Sequence, residues 1–333
     1  MPAVRTWIYS GTAAHVALLA RALRRGELVA VPTETVYGLA GDALDARTAA
    51  RIFAAKRRPA NDPLIVHIHD RRQLAELAEV NPAALALARA FWPGPLTLVL
   101  PKKAIVPDRV TSGHPSVAVR MPRHRLFRAL LKACGRPLAA PSANPFGYLS
   151  PTTAEHVRAG LGGRIRYILD GGPCRLGLES TIVDVRDPAH PALLRPGALP
   201  REDIERVLGQ SLRVASTPRG GTKARVVAPG QLTRHYSPRT PLTLNPQLPP
   251  AGVRAAHPDE AYVFIARPDS PVADNTFWLD AKGDLRGVAR RLFATLRAID
   301  DGRWEHLHVE LARGDDGWAP AINDRLRRAA ARR

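Results

Sequence analysis

Residues 28–39, LVAVPTETVYGL, carry both a structural pattern and a chemical one. The apolar run from Leu28 to Pro32 predicts a short buried strand. From Thr33 to Gly38 the chain then brings threonine hydroxyls, a carboxylate and a glycine to the end of that strand. Because open α/β sheets bind ligands outside the carboxyl ends of their strands, we expect a ligand crevice here. A turn with internally satisfied polar side chains is the alternative interpretation.

Helices and strands alternate along the chain on both sides of this segment. Further predicted strands are Leu64–Ile68, Leu96–Leu100, Ser116–Arg120, Leu138–Ala140, Ile165–Leu169 and Ser180–Val185. Predicted helices are Ala13–Arg25, Thr48–Ala55, Gln73–Ala78, Asn81–Phe91 and Arg201–Leu208. Such alternation predicts an α/β fold with a mixed, twisted sheet.

Three regions are expected along the 333 residues. Residues 1–208 contain the alternating elements, whereas 209–250 is rich in Pro, Gly, Thr and Arg and loses periodicity, which is typical of a linker. Residues 251–333 are expected to form a smaller α/β domain. Its predicted elements are strands Tyr262–Ala266 and Leu307–Leu311, an amphipathic helix Leu285–Ile299 and a basic closing helix Ile322–Arg333.

Composition and charge restrict the class of protein. The formal net charge of +19 favours an anionic partner such as a nucleotide, a phosphate or RNA. Cys134 and Cys174 stand far apart in no metal or redox spacing, which favours a reducing compartment. No apolar run approaches the ~20 residues of a membrane span, and the first residues lack the pattern of a signal peptide. We therefore expect a soluble, cytoplasmic protein.

A second polar segment, KRRPANDPLIVH, runs from Lys56 to His67. Its cations leave a predicted helix end, and Pro59 and Pro63 restrict the loop that follows. A rigid loop that presents Lys and Arg suits phosphate binding, although cations also complement the dipole of a helix end. We expect Arg58 to bear little packing there. His67 and His69 share a strand face, but no third ligand lies at a recognisable spacing, and no metal site is predicted.

Later segments add further polar groups. Arg120 falls on a buried strand, which is unfavourable unless it pairs with a carboxylate or a phosphate, and a structural ion pair explains it as well as a ligand does. Small and hydroxyl residues at 140–145 and 171–184 could expose backbone N–H groups to an anion, although turns explain each segment alone. The chain contains neither G-x-x-x-x-G-K-[ST] nor G-x-G-x-x-G, so a nucleotide would need another kind of site.

Taken together and in this order, the segments resemble the threonylcarbamoyl-AMP synthase family, with its YrdC-like fold, over about Ala14 to Pro200. Pro229–Pro238 resembles the linker motif of the longer family members, and Asn323–Leu326 resembles their closing helix. The resemblance implies an ATP-dependent enzyme that makes L-threonylcarbamoyl-AMP from L-threonine, bicarbonate and ATP and releases pyrophosphate. By the same resemblance, the product would serve N6-threonylcarbamoyladenosine formation in tRNA through threonylcarbamoyl transferase proteins. We expect Mg²⁺ to accompany ATP and the protein to be a monomer.

The same resemblance implies roles for individual residues. L-threonine would be bound by Thr35, His67, Arg120, Ala140 and Ser180. ATP would contact Arg58, Asp62, Ser116, Ser142, Ser150, Arg195, His235 and Tyr236. The catalytic basic and polar motif would be Lys56, Arg58 and Asn144.

The sequence departs from the family pattern at three positions. Asp62 stands before Pro63 where the family usually has Asn, and its charge would repel phosphates unless Mg²⁺ or Arg58 intervenes. Ser116 replaces a more usual threonine, and Leu232 stands where a common form has lysine.

The His235-Tyr236 pair gives the linker a possible role beyond that of a spacer. We expect the segment to close over the nucleotide as a lid that excludes water. Two other functions stay open. One is a double-stranded RNA-binding or ribosome-assembly protein, whose binding would weaken steeply with salt. The other is a carbamoyl-phosphate-dependent transferase, although two cysteines leave no room for the zinc fingers of those larger proteins.

Overall fold

The computed structural model describes residues 4–214, 226–230, 235–269 and 273–331. It confirms a mixed α/β fold with a second, smaller sheet. The predicted linker falls partly outside the described residues, because 215–225 and 231–234, with Leu232, are not among them. Within the described residues, no helix combines the length and apolar character that a bilayer span requires.

The helices and strands are as follows. The strands are β1 (Trp7–Tyr9), β2 (Val29–Val31), β3 (Gly38–Asp42), β4 (Ile65–His67), β5 (Leu96–Pro101), β6 (Ser116–Arg120), β7 (Leu138–Ala139), β8 (Tyr167–Leu169), β9 (Thr181–Asp184), β10 (Ala192–Arg195), β11 (Arg213–Val214), β12 (Leu242–Asn245), β13 (Glu260–Ala266), β14 (Thr276–Asp280) and β15 (His306–Glu310). The helices are α1 (Ala13–Arg24), α2 (Ala46–Lys56), α3 (Gln73–Leu77), α4 (Pro82–Phe91), α5 (Asp108–Thr111), α6 (Arg125–Cys134), α7 (Ala154–Leu161), α8 (Arg201–Leu208), α9 (Ala251–Ala255), α10 (Leu285–Ile299) and α11 (Ala319–Ala330).

The larger sheet is covered on both faces. Its order is β1-β8-β2-β3-β7-β4-β6-β5-β9-β10-β11, with parallel and antiparallel neighbours. Along β2, Val29 and Val31 pack with Leu23 of α1, while Ala30 packs into the cluster that contains Ile52 of α2. Because both faces of the strand are buried, every residue of β2 is apolar, which is why the run was recognisable in the sequence.

The segment after β2, where the sequence predicted a ligand crevice at a strand end, is instead a connection between two paired strands. Residues 32–37 do not leave the sheet but connect β2 to its antiparallel neighbour β3, a strand that the sequence analysis did not predict. Strand β3 begins at Gly38, and a Cβ there would lie 3.2 Å from the Cβ of Ala140. The polar block is therefore a connection between two central strands, held against the residues that follow β7.

The smaller sheet has the order β12-β15-β13-β14 and is entirely parallel. Its apolar residues, such as Val263 and Leu307, pack with Leu292 of α10 and Ile322 of α11. Strand β12 lies inside the range 209–250, and α11 begins at Ala319, before the predicted start of the closing helix.

Candidate functional site

Most of the side chains predicted from the sequence to form a site line one cavity. It is formed by the β2–β3 connection, the ends of β4 and β6, the segment after β7, the end of β10 and the linker. The predicted residues that line it are Thr35, Arg58, His67, Arg120, Ala140, Ser142, Ser180, Arg195, His235 and Tyr236. The predicted residues that do not line it are Lys56, Asp62, Ser116, Asn144 and Ser150.

Arg120, at the end of β6, is buried and held in place from several sides. Its Nη2 donates to Oε1 of Glu34 at 2.6 Å, its Nη1 to Oγ1 of Thr35 at 3.0 Å, and its Nε to the Gly94 carbonyl at 3.2 Å. Burial by itself would raise the pKa of Glu34, but the charge and hydrogen bond of Arg120 hold that pKa below its ordinary value. The guanidinium orientation is therefore fixed by the protein itself.

The hydroxyl of Thr33 shapes the connection beside Arg120. Thr33 Oγ1 donates to the Val36 carbonyl at 2.7 Å, accepts from the Thr35 backbone N–H at 3.0 Å and lies 2.8 Å from Thr35 Oγ1. Such local side-chain bonds define a turn. Thr33 also lines the cavity, although it was not among the predicted site residues. The polar groups of residues 33–36 satisfy one another, as the turn interpretation expects, and Thr33 and Thr35 also line the cavity. That a ligand binds there stays a prediction.

His67 ends β4, where Arg120 of β6 is its register partner. Its ring packs against Phe127, with centroids 5.4 Å apart. Burial, and then the Arg120 charge, lowers the pKa of His67 to about 3, so the imidazole is neutral near neutral pH. Its buried Nδ1 makes no hydrogen bond to the described part of the chain. Among the described residues, His67 and His69 included, no group of three or more His, Cys, Asp or Glu is placed so that it could hold a metal ion.

Arg58 and Asp62 form a buried ion pair on the loop between α2 and β4. Nη2 of Arg58 lies 2.8 Å from Oδ1 of Asp62, and its Nε donates to the Asp62 carbonyl at 2.9 Å. Burial raises the pKa of the Asp62 carboxyl, and the Arg58 charge opposes that rise. The expectation that Arg58 bears little packing is wrong, because the buried side chain braces its own loop. Arg58 lines the cavity, whereas Asp62 does not.

Arg195, at the end of β10, holds Ser180 and reaches the linker. Its Nε and Nη2 donate to the Ser180 carbonyl at 3.2 and 2.9 Å, and Nη2 also donates to Ser180 Oγ at 3.2 Å. Ser180 Oγ lies 2.7 Å from Oγ1 of Thr97. Nη1 of Arg195 donates to the Pro229 carbonyl at 3.2 Å. One side chain therefore connects the sheet, the cavity and the linker.

Lys56 and Asn144 act on the backbone of the loop that carries Ser142. Nζ of Lys56 donates to the Ser142 carbonyl at 2.5 Å and to the Asn144 carbonyl at 2.6 Å. Asn144 Nδ2 donates to the Tyr148 carbonyl at 2.7 Å. Burial, and then the Arg58 charge, lowers the pKa of Lys56 well below its usual range. A direct catalytic role for these two residues stays a prediction.

Two further predicted residues, Ser116 and Ser150, do not line the cavity. Ser116 Oγ is buried and has no hydrogen-bond partner within the described ranges. Ser150 Oγ donates to Oε1 of Glu179 at 2.5 Å. Glu179 itself lines the cavity and accepts from Nε of Arg325 in α11 at 2.7 Å. Neither Glu179 nor Arg325 was predicted as a site residue, although both lie in segments that carried the family resemblance.

His235 and Tyr236 of the linker line the cavity, are both buried and have ring centroids 4.1 Å apart. Tyr236 has a φ of 62°, a left-handed conformation that costs a non-glycine residue of order 1–3 kcal/mol. Gly230 has a φ of 78°, a left-handed conformation that favours glycine, and a Cβ there would lie 2.9 Å from Oη of Tyr236. Burial, and then the Arg58 charge, lowers the pKa of His235 well below its ordinary value.

Comparisons with known protein families agree with this geometry. Residues 21–197 match the Sua5, YciO and YrdC family model, which is described as "Telomere recombination". Residues 199–331 match the family model "Threonylcarbamoyl-AMP synthase, C-terminal domain". Together the two models cover every strand of both sheets except β1, and they also cover the linker between the sheets.

Individual relatives extend over almost the whole chain. The threonylcarbamoyl-AMP synthase of Pyrococcus abyssi is 44% identical over 93% of this chain and 92% of its own length. That of Bacillus subtilis is 40% identical over 96% of this chain and 94% of its own length. The crystal structure of Pyrococcus abyssi Sua5 complexed with L-threonine matches with a TM-score of 0.88 and 40% identity over 98% of both chains.

Proposed function

The chain belongs to the threonylcarbamoyl-AMP synthase family, and on this premise we propose that its cavity makes L-threonylcarbamoyl-AMP from L-threonine, bicarbonate and ATP, with release of pyrophosphate. The observation that carries the proposal is that the guanidinium groups of Arg120, Arg58 and Arg195 line one cavity. A carboxylate and a polyphosphate could then be bound within reach of each other. The alternative of an RNA-binding or ribosome-assembly protein is not favoured, because relatives that cover more than nine-tenths of the chain are named as synthases.

Arg120 is suited to the carboxylate of threonine. A guanidinium has five N–H donors, and contacts with the described residues use three of them, on Glu34, Thr35 and Gly94. The remaining donors could form charge-assisted bonds to a ligand carboxylate. Since Glu34 already fixes the guanidinium, little side-chain entropy is lost on binding.

His67, Ser180 and Ala140 would complete the threonine site. Neutral His67 can donate a hydrogen bond from one ring nitrogen and accept one at the other without adding charge. The Ser180 hydroxyl is oriented by Thr97 and Arg195. Ala140 offers a small apolar surface for the threonine methyl group.

Arg58 and Arg195 would bind the phosphates of ATP. Both guanidinium groups are buried, so their electrostatic effect on a ligand is weakly screened by water. His235 and Tyr236 would lie over the nucleotide and keep water from the product, a mixed anhydride. Lys56 and Asn144 would hold the loop of Ser142 in a fixed position for this contact.

Mg²⁺ would enter with ATP. Among the described residues no cluster of carboxylates and histidines is suited to a dedicated metal site, and the Asp62 carboxylate is already paired with Arg58. This donor set fits an ion that is bound by the phosphates and water, as is usual for Mg²⁺ with nucleotides. When bound, the ion would neutralise part of the phosphate charge.

The chemistry requires no covalent bond to the enzyme. The threonine amine adds to CO₂ derived from bicarbonate, and the resulting carbamate oxygen attacks the α-phosphorus of ATP. Threonine, bicarbonate and ATP thus yield threonylcarbamoyl-AMP, pyrophosphate and water. Positioning of the reactants can lower the barrier by roughly 7–11 kcal/mol, and cations stabilise the charge that develops on phosphoryl oxygens. The product would pass to threonylcarbamoyl transferase proteins that act on tRNA.

A substrate-omission assay tests the proposal. Pyrophosphate release should require ATP, L-threonine and bicarbonate together, and other amino acids should substitute poorly. Pyrophosphate release that continues without bicarbonate, or without any amino acid, would remove the proposal.

A further inference from the structure

Arg325 connects the C-terminal helix α11 to the cavity. Its side chain has 0% exposure, although it carries a full positive charge. Nε donates to Oε2 of Glu179 at 2.7 Å, and Nη1 donates to the Pro196 carbonyl at 2.9 Å and to Oδ2 of Asp324 at 2.7 Å. A buried cation with this many partners is unfavourable to disrupt, because each partner would be left uncompensated.

Two of the groups that Arg325 contacts belong to the cavity wall. Glu179 lines the cavity and also accepts from Ser150, a predicted ATP contact. The guanidinium carbon of Arg325 lies 5.3 Å from the centroid of the Tyr236 ring, within the range of a cation–π interaction. Arg325 does not line the cavity itself, but it contacts two residues that do: Glu179, just before β9, and Tyr236 of the linker.

Glu179 is ionised, and its negative charge affects how the cavity can bind an anion. Burial would raise the pKa of Glu179, but the charges of Arg325 and then Arg195 outweigh that effect and hold the pKa below its ordinary value. Glu179 is then an anion on the wall of a cavity proposed to take a triphosphate. Without a compensating cation it would repel the phosphates.

We propose that Arg325 is a positioning residue for the nucleotide. It neutralises Glu179 and supports the Tyr236 ring, so that the C-terminal helix is required for ATP binding and much less for threonine binding. The inference rests on the proposed function, since it assumes that the phosphates of ATP occupy the Glu179 side of the cavity. A salt bridge that only joined the two sheets would affect both substrates alike.

Steady-state kinetics and threonine calorimetry separate these two roles. We expect Arg325→Met to raise the KM for ATP about tenfold or more while the threonine Kd changes less than about twofold. Arg325→Lys should recover part of the loss, since it restores the charge but not the fork. Arg327→Met, at an exposed position of the same helix, is the matched control and should behave as wild type.

A double-mutant cycle then tests whether Arg325 acts through Glu179. In a Glu179→Gln background, Arg325→Met should raise the KM for ATP by much less than in wild type, because the repelling charge is already gone. Equal losses for ATP and threonine, an unchanged KM for ATP, or fully additive effects would each overturn the inference. If Arg325→Met does not fold, Arg325→Lys and the cycle built on it decide by the same criteria. Absence of pyrophosphate release by the wild-type protein would instead contradict the proposed function.

Discussion

His67 and Arg120 are register partners on the adjacent parallel strands β4 and β6, each at the last residue of its strand. The sheet therefore holds a neutral imidazole beside a fixed guanidinium at one end of the cavity. This pairing arises from strand register, and each residue lies on a separate segment of the sequence.

The low pKa of His67 predicts a pH dependence of stability. Because its pKa is about 3 in the folded protein and about 6.5 in the unfolded chain, the unfolded chain binds the proton more readily. The contribution of His67 is fully present above about pH 6.5 and is lost toward pH 3, at about 1.4 kcal/mol per pH unit. In His67→Gln, the free energy of unfolding, measured by urea titration, should depend less on pH between about 3 and 6.5. The exposed control His257→Gln should keep the pH dependence of wild type, and a His67→Gln curve parallel to wild type would contradict the assignment.

Arg58 should affect both stability and ATP use. Arg58→Ala leaves buried Asp62 without its nearest cation, which we expect to destabilise the fold by about 3–5 kcal/mol. Arg58→Ala with Asp62→Asn should restore most of the free energy of unfolding but not the kcat/KM for ATP. Recovery of both properties in the double variant would mean that Arg58 serves only to neutralise Asp62.

Ala140, which lines the cavity, should determine how strongly the enzyme prefers threonine over serine. One methyl group in an apolar pocket is worth ~1–3 kcal/mol, or about 10- to 200-fold in kcat/KM. Ala140→Val should fill the space of that methyl group and reduce the use of threonine more than that of serine. Ala140→Gly, the matched control, should leave serine use unchanged. An equal loss for both amino acids in Ala140→Val would place the methyl group elsewhere.

The linker should become more resistant to proteolysis when both substrates are bound. Arg239 is exposed and follows the buried His235-Tyr236 pair, and its backbone N–H donates to Asp300, the residue after α10, at 3.0 Å. ATP with threonine should slow tryptic cleavage after Arg239, because the segment has to open locally before it is cut. Cleavage after Arg213, exposed in β11, provides the internal control. Unchanged cleavage after Arg239 with both ligands present would make the linker a tether only.

Part of the fold was predictable because it depends on local patterns. The helix α4 begins where Asn81 accepts from the Ala84 backbone N–H and Pro82 occupies the first turn, as the sequence predicted. Strand β3 was missed because its sequence, GLAGD, has two glycines and little β-propensity. Its stability comes from pairing with β2 and β7, which a local pattern does not contain.

Some features of the site were likewise predictable from local sequence, whereas others depend on contacts between distant segments. Arg120 stood out because a charged residue on a buried strand demands a partner, but the sequence could not name Glu34, 86 positions away. Arg325 and Glu179 are 146 positions apart, so their contact is a product of tertiary packing alone. The Arg58–Asp62 pair is only four positions apart, and the sequence analysis could therefore name Arg58 as a cation that offsets the Asp62 charge.

The fate of the bicarbonate carbon tests the central claim most directly. The protein should be incubated with ATP, L-threonine and ¹³C-labelled bicarbonate, and the product analysed immediately by mass spectrometry. The account predicts an adduct of threonine, one labelled carbonyl carbon and AMP, formed in step with pyrophosphate. An unlabelled adduct of threonine with AMP alone, or pyrophosphate formed without any adduct that contains the label, would contradict it.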